Sequence, residues 1–337
     1  MPPLNTKQQF FQSLKSQTVK DSQLAGSGGY TSEIIFVSVN ATSTTVVNSR
    51  TDKSLRVWKL TNSGLTESKI IESPHEKSVE RIAWHPKHDS TFASVGRDSY
   101  VKVWRAHHGK LQQEIKIEKW HSSETPSPVS CQFVSYSPDG RILAVVDRDS
   151  TISFLAVGDD YRKVHELHLS QHIYDFQWFN HQHQFFVVAL HDGTAPVYEF
   201  DDTTTSTKLW TTITGHRSSI TSISIDPLGT YFALGSNEGV VSIHRCSTML
   251  VEKTLTDVDD AISCVSISRE GSHIGVAFDT TENIRIFEYT SGSQLMEVPN
   301  SAAGKSVLPS MCWIPNRTSY IFASSGCTTM TYMYKND

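Results

Sequence analysis

Five times along the chain an acidic residue is followed six positions later by a bulky side chain: Asp52 and Trp58, Asp98 and Trp104, Asp149 and Leu155, Asp192 and Tyr198, Glu238 and His244. The acids lie 46, 51, 43 and 46 residues apart, within the range at which four-stranded sheets repeat around a ring. A unit this short cannot bury its apolar face alone, so neighbouring units must stack and the stack must close. An all-β propeller is the expected fold.

That repeat decides how the length is read. A chain of 337 residues has room for two ordinary domains, but a regular repeat draws it into one toroid. We expect an N-terminal extension over residues 1–30 and a ring over 31–337. The 38% apolar and 10% aromatic content can fill a core divided among blades, and 19% charged residues is too few for a disordered chain. A net charge of −5 offers no general attraction to nucleic acid or anionic membranes. The five cysteines, Cys131, Cys246, Cys264, Cys312 and Cys327, contain no CxxC pair and leave an odd thiol if bridged. A reducing compartment fits. No secretory signal pattern opens the sequence and no run of 18 apolar residues occurs, so the expectation is a soluble intracellular protein.

The second repeat is the cleanest copy. Residues 78–84 alternate as a strand, 85–89 carry turn chemistry, 91–96 form a second strand, 97–99 a hairpin turn, 100–104 a third strand, and 111–117 a half-exposed outer strand. The same order returns in blade 1 (34–71), blade 3 (129–169), blade 4 (173–213), blade 5 (215–255) and blade 6 (262–298). Blade 7 has three strands, at 307–313, 320–324 and 328–334. A ring left open there would expose a long sheet edge. A segment near Lys15 to Lys20 is therefore expected to supply the missing outer strand and close a seven-bladed propeller. Residues 6–14 are expected to be helical, with Phe10, Phe11 and Leu14 on one face. Gly26 to Gly29 reads as a flexible link.

Several residues look chemical. His75, Ser94 and Asp98 contain the ingredients of a nucleophile triad, and Trp104 completes a recurring set. The repeat resembles the WD40 propellers, and that resemblance implies that His75, Ser94, Asp98 and Trp104 form a buried hydrogen-bond relay binding the strands of one blade. Buried polar groups are tolerated when each finds a partner. Blade 5 keeps the set in part, with His216, Ser236, Glu238 and His244; blade 7 has Cys327 where the turn acid belongs. Such blades are expected to lean on apolar packing. The 299–306 segment ends like a phosphate loop on Gly304, Lys305 and Ser306, but Pro299 replaces its first glycine and a strand pattern follows, so it reads as a loop between blades. The fifteen histidines, including His181 and His183, His107 and His108, and His165, His168 and His172, show no ligand set with defined spacing. No cofactor, metal or catalytic residue is assigned.

Cations precede the turn acids by one or two positions in blades 1 to 4: Arg50, Arg97, Arg148 and His191. Asn237 and Phe278 hold that place in blades 5 and 6. These turns should emerge on one face, where the cations would form an arc receiving an acidic segment of a partner. The alternative is that each arginine pairs with its neighbouring acid, and surface pairs of that kind contribute little.

Residues 78–86, 137–145, 174–180, 226–236 and 311–317 follow one another as in the WD40 subunit of the THO complex, and the resemblance runs from about residue 33 to 325. It implies a nuclear, non-catalytic scaffold subunit acting within THO and TREX in transcription-coupled assembly and export of messenger RNA. The implied partners are large helical THO scaffold subunits, with a DEAD-box RNA helicase and mRNA reached through the complex, and neither membrane nor small-molecule substrate. Two other classes remain open: a peptide reader, such as a histone-tail reader, and an adaptor in ubiquitin ligation or RNA decay.

Overall fold

The computed structural model describes residues 6–20, 32–61, 64–120, 129–256, 260–279, 283–298, 310–315, 319–323 and 329–335. They form seven four-stranded antiparallel sheets arranged as blades of a propeller, with chain order and spatial order identical in six of them. The seventh takes its outer strand from Lys15–Lys20, which pairs antiparallel with Thr329–Tyr334. The ring is thus closed where the missing strand was expected. The link at 26–29, the 299–306 segment and Cys327 lie outside the described residues.

The second strand of each blade explains why the sheets must stack. Ile142–Asp147, Tyr231–Ser236 and His273–Phe278 are buried at every position, and their near-continuous apolar sequences suit strands covered on both faces. The covering comes from the neighbouring blades. Val47, Leu55 and Val57 of blade 1 pack with Ile82, Phe92 and Trp104 of blade 2, and the other apolar clusters likewise span adjacent sheets. Outer strands such as Lys110–Lys116 are half exposed and alternate accordingly.

Closure uses more than backbone pairing. The helix Thr6–Gln12 buries Phe11 to 1% exposure, edge-on to His273 at 4.9 Å and to Trp313 at 6.4 Å, so it plugs the seam between blades 6 and 7. From the closing strand, the Gln17 amide accepts from Leu65 N at 2.9 Å and donates to Leu65 O at 3.4 Å. A Cβ on Gly64 would overlap that amide. The glycine therefore lets blade 7 be stitched to blade 1.

The innermost strands present their free edge to the central channel. Edges of this kind invite wrong pairing unless blocked, and here side chains of one blade block the next. Asp175 Oδ2 accepts from Ile223 N at 2.7 Å, Ser222 Oγ from Val265 N and Ser224 Oγ from Ile267 N, both at 3.0 Å. The first strand of blade 2 is shorter than its 78–84 pattern, spanning Arg81–Trp84.

Candidate interaction face

In blade 2 the turn acid, the histidine, the serine and the tryptophan meet. His75 Nδ1 lies 2.9 Å from Asp98 Oδ2, His75 Nε2 lies 2.9 Å from Ser94 Oγ, and Trp104 Nε1 donates to Ser94 Oγ at 2.9 Å. The carboxylate of Asp98 can only accept, which selects the tautomer with the proton on His75 Nδ1; in that tautomer Nε2 accepts from the Ser94 hydroxyl, which itself accepts from the indole N–H. Burial pushes the Asp98 carboxyl up, but the hydrogen bond and charge of His75 and the amides of Tyr100 and Glu76 hold it below its ordinary value. Close approach requires Gly96, where a Cβ would come within 2.7 Å of His75 Cβ. Ser94 is 0% exposed. The set ties the turn acid to side chains of the second and third strands, a buried strut within one blade.

Blade 5 rebuilds the strut with one substitution that sequence spacing misplaced. His216 Nδ1 lies 3.2 Å from Glu238 Oε1, but His216 Nε2 and His244 Nε2 converge on Ser242 Oγ, at 2.7 and 2.9 Å. Ser236, the expected hydroxyl, instead donates to Val240 O. The reason is register. Four residues before the acid stands Ser94 in blade 2 and Leu234 in blade 5, and Leu234 pairs with Ser242 across the ladder. Cross-strand partners point to one face, so the hydroxyl has moved from the second strand to the third. Burial lowers the pKa of both His216 and His244. A cavity of about 440 Å³ lies beside the strut, lined by His216, Glu238, Ser242 and His244.

The remaining blades diverge further. In blade 1, Asn48 takes the serine position and accepts from Trp58 Nε1 at 3.3 Å, while Asp52 holds Ser54 and the buried Arg56. In blade 3 the capping acid is Asp147, which accepts from the amides of Asp149 and Thr151; Asp149 is 61% exposed and pairs with Lys119. The six-residue step therefore marks the turn there without marking its anchor. Blade 4 substitutes an aromatic cluster of Phe176, Trp178, Phe186 and Phe200, continuous with Phe154 of blade 3.

The four cations of the expected arc have different fates. Arg50 is 3% exposed and its guanidinium is drawn inward onto Ser32, so it does not reach the surface; this corrects its placement in the arc. Arg97 is 43% exposed and pairs with Glu80 at 2.7 Å instead of with Asp98. Arg148 is exposed. His191 is exposed too, but its Nδ1 lies within hydrogen-bond distance of Tyr174 Oη and Ser219 Oγ, and its ring stacks on Tyr174. Sequence reasoning missed Lys53, Lys77 and Arg81, which line the channel mouth with Thr51, Ser78 and Arg97. Their only signal was a charged pair, Glu80 and Arg81, inside an otherwise alternating apolar strand.

Behind this mouth the channel encloses about 1010 Å³, walled by the innermost strands. Asp175 sits within it, and burial raises its carboxyl pKa against the opposing charge of Arg81. Among the described residues no group of three or more His, Cys, Asp or Glu is arranged to hold a metal ion.

The family model for the WD domain, G-beta repeat, matches residues 68–105 and 207–245. Those two stretches contain the third strands and turn acids of blades 2 and 5, the blades that keep a histidine-centred strut. Among curated proteins, THO complex subunit 3 of Arabidopsis thaliana is 28% identical over 280 residues, covering 83% of this chain and 84% of that protein. Protein TEX1 of Saccharomyces cerevisiae is 21% identical over 90% of this chain and 72% of its own length. WD repeat-containing protein AAC3 of Dictyostelium discoideum is 26% identical over 69% of this chain and half of its own. The chain is a seven-bladed WD40-repeat propeller whose similarity to THO complex subunit 3 runs through most of its length.

Proposed function

We propose that this protein is a non-catalytic architectural subunit of a THO-type nuclear assembly, acting in transcription-coupled packaging and export of messenger RNA. The observation that carries the reading is the similarity to THO complex subunit 3 across 83% of this chain and 84% of that protein, which leaves little of either outside the match. The chemistry of the ring is in keeping with it. Its two histidine–carboxylate–serine sets are sunk between strands, with Ser94 at 0% and Ser242 at 6% exposure, so they serve the blades and not a substrate. Large helical scaffold subunits are the direct partners in this reading, and a DEAD-box helicase and RNA are reached through the assembly.

The face bearing Arg97 and Arg148 is the proposed docking side, receiving an acidic segment of the partner. Arg148 is exposed, and Arg97, held by Glu80, can exchange that acid for one supplied by the partner. Affinity purification with mass spectrometry tests the assignment: THO subunits should co-purify, whereas recovery of ubiquitin-ligase or RNA-decay components in their place would overturn it. Charge reversal at both Arg97 and Arg148 tests the docking side, since unchanged capture of the scaffold at low salt would remove it.

A further inference from the structure

We propose that the channel mouth at blades 1 to 3 is a receptor for a carboxylate side chain of an extended acidic peptide, anchored by the Arg81 guanidinium. Arg81 opens the innermost strand of blade 2, and its Cζ lies 4.9 Å from the ring centroids of both Phe36 and Phe133. One ring belongs to the innermost strand of blade 1 and the other to that of blade 3. A guanidinium held against aromatic faces keeps its N–H donors in its own plane, directed away from the rings. It has also surrendered its rotamer freedom before any ligand arrives, so binding need not supply that ordering.

Those donors are underused. Nη1 donates to Glu80 O at 3.0 Å, and no other hydrogen bond or ion pair engages Arg81 among the described residues. The nearby acids are already committed. Glu80 pairs with Arg97, and the two oxygens of Asp175 accept from the amides of Phe176 and Ile223 at 2.8 and 2.7 Å. Exposed Lys53 and Lys77 line the same cavity at its rim, where they would attract an acidic chain without fixing it.

The preference for a carboxylate follows from charge. A planar guanidinium fork fits either carboxylate or phosphate in bidentate fashion. This channel offers one deep cation and places Asp175 in its field, so a monoanion is favoured over a phosphate that carries nearly two charges at neutral pH. The enclosed volume, about 1010 Å³, admits a peptide side chain together with its flanking backbone, and the inner strands supply hydroxyls from Ser38, Ser135 and Ser266 along the walls.

The inference rests on the proposed use of this face for docking, and the test separates the two. The full chain is titrated against a fluorescein-labelled peptide alternating Glu and Gly, its Gln and Gly counterpart, and its phosphoserine and Gly counterpart, read by fluorescence anisotropy at low salt. The Glu peptide should bind at least about tenfold tighter than the Gln peptide and tighter than the phosphopeptide. Arg81→Gln and Arg81→Lys should each weaken it by about tenfold, the lysine because it loses both the fork and the stacking. Equal binding of Glu and Gln peptides by the unaltered protein, tighter binding of the phosphopeptide, or full affinity in Arg81→Lys would overturn the inference. If Arg97 and Arg148 reversals abolish scaffold capture while Arg81 variants bind the Glu peptide normally, the anchor is wrong and the docking face stands. If none of these changes matters, both fall.

Discussion

Replacing Ser94 by alanine removes one oxygen and strands two buried nitrogens, Nε2 of His75 and Nε1 of Trp104. Their residues are 3% and 6% exposed, so bulk solvent is a poor substitute for the lost oxygen. A buried polar group left without a partner costs about 1–3 kcal/mol, so Ser94→Ala should destabilise the protein by about 2–6 kcal/mol. That is a large share of the roughly 5–15 kcal/mol that holds a typical native state. Trp104→Phe supplies the internal control, because it removes one of the two stranded nitrogens, the indole donor, in advance. In that background Ser94→Ala should cost about half as much, giving a coupling energy of about 1–3 kcal/mol. Equilibrium urea unfolding followed by far-ultraviolet circular dichroism measures both steps, with an unchanged denaturant slope showing that only stability moved. A Ser94→Ala effect below about 1 kcal/mol, or the same effect in both backgrounds, would refute the idea that one hydroxyl serves two nitrogens.

The same measurement in blade 5 should find Ser242→Ala more destabilising than Ser236→Ala, because only Ser242 joins two imidazoles; the reverse order would undo the register argument. The cavity beside them can admit water to the freed nitrogens, so Ser242→Ala should cost less than Ser94→Ala. Burial lowers the folded-state pKa of His216 and His244, so the unfolded chain takes up protons first, near its ordinary value of about 6.5. Their contribution is whole above that value and is lost as pH falls below it; the melting temperature should drop between about pH 7.5 and pH 5.5, and His244→Trp should flatten the decline. Removing residues 1–20 uncovers the edge of Thr329–Tyr334 and the pocket of Phe11, so light scattering should detect self-association absent from the full chain. Burial pushes the Cys131 thiol up, and the Cys246 thiol up to about 12. Both should resist a disulfide reagent until urea is added, and rapid labelling in the native protein would contradict their placement.

Much of the ring was legible because its determinants are local. Alternating strands, turns such as that at Asp139 and Gly140, and the shortage of one strand in blade 7 all leave marks within a few residues. The closing strand could be located because an open edge had to be covered by something. What spacing could not supply was pairing. Ser236 and Ser242 both lie near Glu238 in sequence, and only the ladder that sets Leu234 against Ser242 decides which hydroxyl meets the histidines. Asp147 and Asp149 pose the same difficulty two residues apart. Arg50 shares its position before the turn with Arg97, yet Ser32 draws one guanidinium inward and Glu80 holds the other at the surface. The setting of Arg81 was not legible for a related reason: the rings that flank it come from blades on either side, and no window of sequence contains all three.

The stitch between Lys15–Lys20 and Thr329–Tyr334 also has a timetable. Joining segments so far apart adds little at equilibrium, since each doubling of a loop raises the closure cost by only about 0.6 kcal/mol. In time the burden is heavier. During synthesis the strand that completes the ring leaves the ribosome early and must wait, unpaired, until the third strand of the last blade exists. Six blades can stack in the meantime, each on the one before, while the seam stays open and Phe11 has no site. Final closure is therefore the step of highest contact order, the one most exposed to partners that bind open edges, and the one whose failure would leave a folded arc in place of a ring.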